Sequence, residues 1–342
     1  MSFRTSVGRR FTAGLFASFA AVAALLLSTA CGRQEDRKTG NAGETEQEGR
    51  QYRIGVSIPA ADHGWTGGVV WFAEQGKKKL EEANGDVKIL ISSAKDASEQ
   101  VDKIENLLVQ DIDALVVLPH EPGPLTGICE RVRKKGVKLI VVDRGLEKKI
   151  QNLTVAGDNP EFGRVAAETL AKELDGKGNI LVMEGVPCVV NTDRVEAFRE
   201  VMKQYPEIRI LESQSAYWDP EKGLKLMENF LQKYNQIDAV WTGDDDVLVG
   251  ALKAYEESGR KDIKLFVGGG GSKAIIKRIL DGDPVVRLTV TYPPRMIEVA
   301  MEEALAILKG SSSLPDGDTL LVHAEVVNRD NASDHYFPDS AY

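Results

Sequence analysis

The sequence has 342 residues, of which 42% are hydrophobic and 28% are charged, and its formal net charge is −9. The three arginines in residues 1–30 are not balanced there by any acidic residue, so the rest of the chain is more acidic still. An excess of negative charge of this size argues against nucleic acid as a partner. Roughly 290 residues follow position 51, which is too many for one compact core and predicts two lobes of ordinary domain size.

The beginning of the chain has the layout of a bacterial secretory signal. The arginines come first, an apolar stretch runs from 11 to 27, and small residues lead into Cys31. An apolar core of about 17 residues is marginal for a helix that spans a membrane. The junction Leu-Ser-Thr-Ala-Cys resembles a lipobox, although its leucine stands one place too early and Ser28 takes that position. We expect residues 1–30 to be a lipoprotein signal peptide and Cys31 to be lipidated; ordinary cleavage near Ala30 is the alternative.

The residues that follow, 31–51, are predicted to be a flexible tether. They are rich in glycine and glutamate, and no large aliphatic or aromatic residue occurs between Gly32 and Arg50. Such a segment buries too little apolar surface to offset the entropy lost on ordering. The sequence therefore indicates an exported protein, periplasmic or at the cell surface, with a lipid anchor in a bacterial membrane.

From Tyr52 onward, short apolar segments alternate with helical patterns. The predicted strands form two series: 53–58, 87–91, 114–118, 138–142 and 153–156, then 179–183, 209–213, 239–242, 264–267 and 286–290. The intervening residues are amphipathic; between 101 and 108, for example, apolar residues recur on one helical face. Nearly all-apolar strands that alternate with helices are typical of parallel sheets covered on both faces. We therefore predict the α/β class, with two Rossmann-like lobes.

Polar and aromatic side chains are concentrated directly after the predicted strands. Ligands of open parallel sheets bind beyond the carboxyl ends of the strands, so these residues form the candidate site. Charged groups make strong hydrogen bonds to hydroxyls, and flat rings pack against the C–H faces of a sugar. This combination favours a polyhydroxylated ring as the ligand. The residues concerned are Asp62, His63, Trp65, His120, Glu121, Asp143, Arg144, Arg194, Trp218, Asp244 and Tyr292.

For some of these residues a structural role stays open. The two histidines and Glu121 suit a turn or the surface as well as a site. Trp71 and Trp241 fall within a predicted helix and a predicted strand, and we interpret both as packing residues.

Taken together, six segments resemble the periplasmic sugar-binding proteins of ABC transporters, the ribose-, xylose- and galactose-binding group of type I periplasmic binding proteins. The resemblance covers residues 52–327 and rests on the order and spacing of the segments 52–58, 112–119, 141–144, 155–159, 237–245 and 265–268. It implies two lobes, joined by a hinge of three crossing strands, that close on a ligand in the cleft between them. We expect a monomer that delivers its ligand to a membrane permease, and the missing motifs described below predict no enzymatic activity, cofactor or metal.

Lobe boundaries follow from the same resemblance. It implies that 52–157 and 293–322 form the N-terminal lobe and that 158–292 and 323–342 form the C-terminal lobe. The hinge is expected near Gly157-Asp158, Tyr292 and His323. The residues beyond Asn328 are expected to be loosely ordered.

In the first lobe the resemblance assigns roles to five residues. Asp62, His63 and Trp65 stand where the family places an amide and an aromatic ring against the sugar. Asp143 and Arg144 match an Asp-Arg pair that hydrogen-bonds the ring hydroxyls.

In the second lobe the resemblance is less complete. Arg194 matches a ligand-binding arginine, and Trp218 matches a stacking aromatic residue. Asp244 stands where asparagine is usual, and Tyr292 stands near a position that is often glutamine. The aspartate that the family carries after a late strand is replaced here by Gly270. A missing side chain leaves room, so the sequence does not identify the sugar.

Three consecutive carboxylates, residues 244–246, have more than one interpretation. They can bind a sugar, coordinate a cation, or begin the following helix, where negative charge suits the positive end of the helix dipole. We expect Asp244 to face the ligand and Asp246 to serve the helix. No second carboxylate cluster accompanies them, so a metal site is not expected.

Other function classes lack their motifs. The glycines at 268–271 are followed by Ser-Lys rather than Lys-Ser, so they do not form a phosphate-binding loop. No Gly-x-Ser-x-Gly elbow occurs, and the four histidines are scattered, so no nucleophile or general base is evident. A disulfide between Cys129 and Cys188 is open to the chain, but we expect free or buried thiols. A binding module for a chemoreceptor or sensor kinase is the alternative function, whereas a repressor would need a DNA-binding helix pair where the signal lies.

Overall fold

The structure is a computed structural model that describes residues 50–61 and 64–342. The predicted signal peptide with Cys31, almost all of the predicted tether, and the candidate residues Asp62 and His63 lie outside the described residues. Within the described part, no helix combines the length and the apolar character needed to cross a membrane.

Twelve strands occur in the described residues. They are β1 (Tyr52–Pro59), β2 (Val87–Ala94), β3 (Ala114–Val117), β4 (Lys138–Val142), β5 (Leu153–Gly157), β6 (Lys177–Glu184), β7 (Glu207–Ser215), β8 (Ala239–Trp241), β9 (Leu265–Val267), β10 (Leu288–Val290), β11 (Asp318–Val322) and β12 (Val326–Asn328). All ten predicted strands are present, with ends that differ by a few residues. β11 and β12 were not predicted. Both are edge strands, and most of their residues are exposed or only partly buried, so they lack the apolar run of a central strand.

Nine α-helices alternate with the strands of the described chain. They are α1 (Gly64–Ala83), α2 (Ala97–Val109), α3 (Pro122–Lys134), α4 (Asn159–Glu173), α5 (Val189–Met202), α6 (Pro220–Lys233), α7 (Asp245–Ser258), α8 (Lys273–Asp281) and α9 (Met296–Leu308). Several begin where a side chain accepts a backbone N–H of the first turn, as Asp96 does for α2 and Asp219 for α6. Such N-caps satisfy N–H groups that have no partner within the helix.

The strands form two six-stranded sheets. The first has the order β11-β5-β4-β3-β1-β2 and is parallel throughout; the second has the order β12-β10-β9-β8-β6-β7, with only β12 antiparallel among the pairs described. In the first lobe, α1 and α9 pack together and α2 packs with α3; in the second, α4 packs with α5 and α6 with α7. The predicted α/β class with two Rossmann-like lobes is confirmed.

Between the two sheets the chain passes three times. It leaves the first sheet at Gly157 after β5, returns from the second at residues 291–295 after β10, and crosses again at residues 323–325 between β11 and β12. The first two crossings lie close together: a Cβ placed on Gly157 would be 2.1 Å from the ring of Tyr292. Nδ1 of His323 in the third crossing lies 2.8 Å from the Glu161 carboxylate of α4.

The prediction of loose order beyond Asn328 was wrong. Residues Ala332–His335 form a 3₁₀ turn, and Ser340 and Tyr342 are buried. Phe337 packs edge-on against Phe72 of α1 at a centroid distance of 5.2 Å. The segment is polar on average, but its few aromatic residues bury enough surface to hold it against the lobes.

Both tryptophans predicted to pack do so. Trp241 is buried and stacks on Phe198 with centroids 3.9 Å apart. Trp71 is half-buried and packs against Phe72 and Phe337. Cys129 is buried and Cys188 is exposed, and both are free thiols, which confirms the expectation for the cysteines.

Candidate ligand-binding site

Arg194 is the centre of the candidate site. Its side chain is only 7% exposed, although it lies in the first turns of α5, and three aromatic rings surround the guanidinium. The guanidinium carbon lies 4.2 Å from the centroid of Tyr292, 4.4 Å from that of Phe162 and 5.9 Å from that of Trp218. Cation–π attraction to these faces offsets part of the cost of burying the charge.

The polar contacts of Arg194 use only part of its donor capacity. Nε donates to Oδ1 of Asn159 at 2.9 Å, and Nη1 donates to the carbonyl oxygen of Gly243 at 3.3 Å. None of the described residues forms an ion pair with it, and a guanidinium has five N–H donors. With respect to the described residues, Arg194 is therefore a buried cation with unused donors, which suits the oxygens of a polar ligand.

Tyr292 connects the crossing segment to the first lobe. Its hydroxyl donates to the Asp143 carboxylate, which comes directly after β4. Burial raises the pKa of Tyr292 far above its ordinary value, and the negative charge of Asp143 raises it further. The phenol therefore stays protonated, and its hydrogen bond orients the Asp143 carboxylate.

Backbone strain is concentrated at the same site. Five described non-glycine residues have positive φ, and three of them are Asp143 (57°), Tyr217 (60°) and Trp218 (56°). The left-handed conformation costs about 1–2 kcal/mol for residues other than glycine. Strained residues of this kind cluster where a side chain must be held in a particular direction.

Two predicted stacking residues line the site from opposite lobes. Trp65, in the first turn of α1, is half-buried, and its Nε1–H donates to the carbonyl oxygen of Tyr292 at 3.0 Å. Trp218 is half-buried next to Arg194, and its indole packs so closely on Gly185 that a Cβ there would lie 2.0 Å from Nε1. One ring belongs to each lobe, and both lie near Tyr292 and Arg194 at the crossing segment.

Arg144 lies at the end of the first sheet, beside the loop that follows β3. Its Nη1 donates to the carbonyl oxygen of His120 at 3.2 Å. The His120 N–H in turn donates to the buried side chain of Gln100, which also bonds to Leu118 O at 2.9 Å. Nδ1 of His120 is buried without a hydrogen-bond partner among the described residues, although it lies 4.0 Å from the Glu121 carboxylate.

The aspartates at 244–246 divide their roles differently from the prediction. Asp244, not Asp246, is the N-cap of α7: Oδ1 accepts the N–H groups of Asp246 and Val247 at 2.9 and 3.0 Å. Burial raises the pKa of Asp244 to about 8, with the charge of Asp246 adding to the effect. Asp244 is half-buried near Arg194, whose charge opposes this shift.

Asp245 is a structural carboxylate. It is fully buried, and its oxygens accept the N–H groups of Gly269, Gly271 and Ser272 and the hydroxyl of Thr289 at 2.6 to 3.0 Å. Burial nevertheless raises its pKa to about 6. This carboxylate holds the glycine turn after β9 in place, so that turn has a structural explanation without a nucleotide.

Several residues of the site were not predicted. Asn159 and Phe162 in α4 hold Arg194, and Gln100 holds the loop next to Arg144. Asn159 is the last residue of the segment 155–159, which contributes to the family resemblance, and it follows a predicted strand. The sequence could therefore have indicated it as a site residue. Phe162 and Gln100 lie inside helices, where nothing local separates them from packing residues.

One group of described residues has metal-ligand spacing. Ligand atoms of Asp158, Glu161 and His323 all lie within 4.8 Å of one another at the crossing segments. The Glu161 carboxylate already accepts the N–H of Ala324 at 3.0 Å and contacts His323, which accounts for the cluster without an ion.

The fold and the site define a class: a two-lobed α/β binding protein whose lobes contribute facing polar and aromatic residues. A sequence model described as the periplasmic binding protein domain matches residues 54–312. The ribose import binding protein of Bacillus subtilis is 31% identical over 290 residues, which covers 84% of this chain and 90% of that protein. The galactofuranose-binding protein of Escherichia coli K12 is 27% identical over 299 residues, covering 84% and 88%.

A solved structure gives the same architecture. The ABC transporter periplasmic solute-binding protein of Actinobacillus succinogenes, with bound D-allose, superposes with a TM-score of 0.72 at 23% identity, covering 83% of this chain and all of that one. The chain belongs to the periplasmic binding protein family. Members of this family act as binding proteins, so the prediction that the chain is not an enzyme is confirmed on this ground. The family is a periplasmic one, in agreement with the predicted export.

Proposed function

We propose that this protein captures a sugar or sugar-like polyol in the cleft between its two lobes. The observation that carries the proposal is Arg194, a buried cation with unused donors, surrounded by aromatic rings from the second lobe and the crossing segment. Hydroxyl groups accept from guanidinium donors, and the rings of Trp65 and Trp218 suit the C–H faces of a pyranose or furanose. The names of the curated relatives, which specify ribose and galactofuranose, support the same ligand class.

Within this proposal, each residue receives a role in ligand binding from its position. Asp143 and Arg144 hydrogen-bond ring hydroxyls from the first lobe, Arg194 does so from the second, and Trp65 and Trp218 stack. We retain Asp62 and His63 from the sequence prediction. Asp244 faces the ligand with the oxygen that does not cap α7, and Tyr292 contributes through its contact with Asp143.

The proposed mechanism is capture by lobe closure. We assign 52–157 and 293–322 to one lobe and 158–292 and 323–342 to the other, with the three crossings as the hinge. A ligand that contacts both lobes stabilises the closed form by its differential affinity for the closed and open states. The closed, loaded monomer then presents both lobes to the permease of an ABC transporter.

Anchoring by lipid completes the proposal. The charged start, apolar stretch and small residues before Cys31 support a lipoprotein signal peptide, which would keep the binding protein at the membrane beside its permease. Mass spectrometry of the processed protein distinguishes a lipidated Cys31 from cleavage near Ala30. A signalling partner instead of a permease was the alternative; the import function in the name of the Bacillus relative favours transport.

The test is a ligand screen by thermal unfolding and tryptophan fluorescence. Purified protein is titrated with pentoses, hexoses, deoxysugars, polyols and short oligosaccharides. One class of sugar is expected to raise the melting temperature, because a ligand bound only by the folded state stabilises it by mass action, and to change the emission of Trp65 or Trp218. If no member of the panel has either effect, the proposed ligand class is wrong.

A further inference from the structure

The side chain of Tyr342 is buried between the two lobes, far in sequence from every other site residue. Only 6% of it is exposed. On the side of the first lobe it packs on α1, where a Cβ placed on Gly68 would lie 2.9 Å from the Tyr342 Cβ and one placed on Gly64 would lie 3.0 Å from its ring. On the side of the second lobe, its hydroxyl reaches Gly270 in the turn after β9. Tyr342 therefore joins both walls of the cleft.

The Tyr342 hydroxyl and Gly270 occupy complementary space. A Cβ at position 270 would lie 1.9 Å from the hydroxyl oxygen, well inside contact distance, and the φ of Gly270 is +122°, where other residues are strained. The expectation that Gly270 leaves room in the site was therefore wrong: the phenol fills the space that a side chain at 270 would take.

This hydroxyl is buried without a hydrogen-bond partner among the described residues. The nearby backbone donors are already used, because Asp245 accepts those of Gly269, Gly271 and Ser272, and the N–H of Gly270 donates to Val290 O. A buried hydroxyl without a partner is destabilising, so its presence requires an explanation.

The electrostatic surroundings keep the phenol in its neutral form. Burial raises the pKa of Tyr342 well above its ordinary value, and the carboxylates of residues 244–246 raise it further, against the opposing charge of Arg194. The hydroxyl thus keeps a proton to donate and lone pairs to accept with. The close approach of the hydroxyl to Gly270, in the turn after β9, places it at the carboxyl edge of the second sheet.

We propose that Tyr342 is a specificity-determining residue of the sugar site and that its hydroxyl hydrogen-bonds one hydroxyl group of the bound ligand. The inference rests on the proposed function. A ligand hydroxyl both donates and accepts, so it satisfies the buried phenol, and an analogue without that hydroxyl leaves the phenol unpaired. The contact therefore selects for one ring position of the sugar.

The experiment compares Tyr342→Phe with wild-type protein in calorimetric titrations. The probes are the sugar that binds most tightly in the panel and its set of monodeoxy analogues. Tyr342→Phe is expected to bind the parent sugar about tenfold more weakly, which corresponds to the net value of about one hydrogen bond. One deoxy analogue should bind both proteins equally, because it lacks the partner of the phenol. Without ligand, the variant should melt no lower than wild type, since it loses an unpaired hydroxyl.

Tyr336→Phe is the matched control. Tyr336 belongs to the same segment but packs against the core of the second lobe, away from the site, and its variant should bind like wild type. Equal affinity of Tyr342→Phe and wild type for the parent sugar would overturn the inference while leaving the proposed function intact. Tighter binding by Tyr342→Phe would also overturn it, since the phenol would then compete with the ligand. If wild type binds no sugar, the proposed function fails, and the inference fails with it.

Discussion

At the scale of single residues, the burial of Arg194 is the feature that most needs a ligand to explain it. A buried guanidinium is normally compensated by a carboxylate, because transfer of a charge out of water is costly. Among the described residues Arg194 has instead one amide oxygen, one carbonyl oxygen and three ring faces. An incompletely satisfied cation at the interface of two lobes is suited to oxygen atoms that arrive with a ligand.

Replacement of Arg194 tests this interpretation. Arg194→Ala is expected to weaken sugar binding by at least about 30-fold, because loss of a buried charged donor leaves ligand oxygens unpaired in a closed site and costs about 2–5 kcal/mol. Titration calorimetry measures the affinity, and circular dichroism checks that the variant is folded.

Arg199→Ala is the control for this substitution. Arg199 lies on the same helix, but its side chain is 51% exposed and forms a surface ion pair with Glu184 at 3.1 Å. Surface pairs contribute little, so affinity and stability should change only slightly. Equal effects of the two substitutions would contradict a special role for Arg194.

The sequence identified most of the candidate residues, but it did not show how they are held. Polar residues after strands indicated Asp143, Arg194 and Trp218 because strand ends are visible as the ends of apolar runs. The left-handed backbone of Asp143 and Trp218 was not visible, and both side chains contact residues far away in the chain, Tyr292 and Gly185 respectively.

At the scale of elements, the start of α7 and the glycine turn after β9 form one unit. Asp244 caps the helix, and Asp245 accepts four donors, three of them from the turn. This glycine turn also forms the surface that the Tyr342 hydroxyl contacts at Gly270. The two adjacent aspartates therefore have different roles: Asp244 caps the helix, and Asp245 stabilises the turn.

Substitution of Asp245 by asparagine is predicted to loosen this unit. An amide replaces one accepting oxygen by an N–H₂ group, which then faces two N–H or O–H donors. Leaving two buried donors without an acceptor should lower the free energy of unfolding by about 2–5 kcal/mol at pH 7. Urea denaturation followed by fluorescence measures the difference.

The neighbouring substitution Asp244→Asn gives the contrast. Asparagine caps a helix as well as aspartate, so below about pH 4, where both side chains are neutral, the substitution should change stability little. Because burial raises the pKa of Asp244 to about 8, the folded protein holds a proton that the unfolded chain releases near pH 4. As the pH rises from about 4 to about 8, wild type therefore loses the stability contributed by this proton, whereas Asp244→Asn does not. The free energy of unfolding of the variant should rise relative to that of wild type across this range. If the difference in unfolding free energy between the two proteins is the same from pH 4 to pH 8, the burial of Asp244 is contradicted.

At the scale of the whole molecule, the two sheets are similar and the crossings between them are few. In the described residues three segments connect the lobes: Gly157 packs against the ring of Tyr292, and the N–H of Thr291 donates to the carbonyl oxygen of Glu325 at 2.8 Å. Under the closure that we propose, these segments act as a hinge that absorbs the rotation through a few residues, without rearrangement of either core. The N-terminal ends of α1 and α7 lie close together, since a Cβ on Gly64 would lie 3.0 Å from the Asp246 carboxylate oxygens.

Closure is expected to be measurable as a change of distance between the lobes. Cys188 is an exposed thiol in the second lobe, and Glu121→Cys adds an exposed thiol at the cleft edge of the first. Burial raises the pKa of the Cys129 thiol to about 12, so it should resist labelling. With spin labels at 121 and 188, the sugar found in the panel should shorten the distance measured by pulsed electron resonance.

A pair within one lobe provides the reference. Glu221→Cys with Cys188 places both labels in the second lobe, and their distance should stay constant on addition of sugar. If the distance between 121 and 188 also stays constant while the sugar binds, the ligand does not act by closing the lobes.

By itself the sequence determined the class of fold, the family, ten of the twelve strands described and most of the candidate site, because apolar runs and the polar residues after them are local patterns. Only the tertiary structure decided which aspartate caps α7, how Asn159 and Phe162 hold Arg194, and that Tyr342 returns to fill the space beside Gly270. Those outcomes depend on contacts between residues far apart in the chain, such as 270 and 342. A side chain that reaches a site across the fold leaves no pattern in the residues next to it, so only the folded chain reveals it.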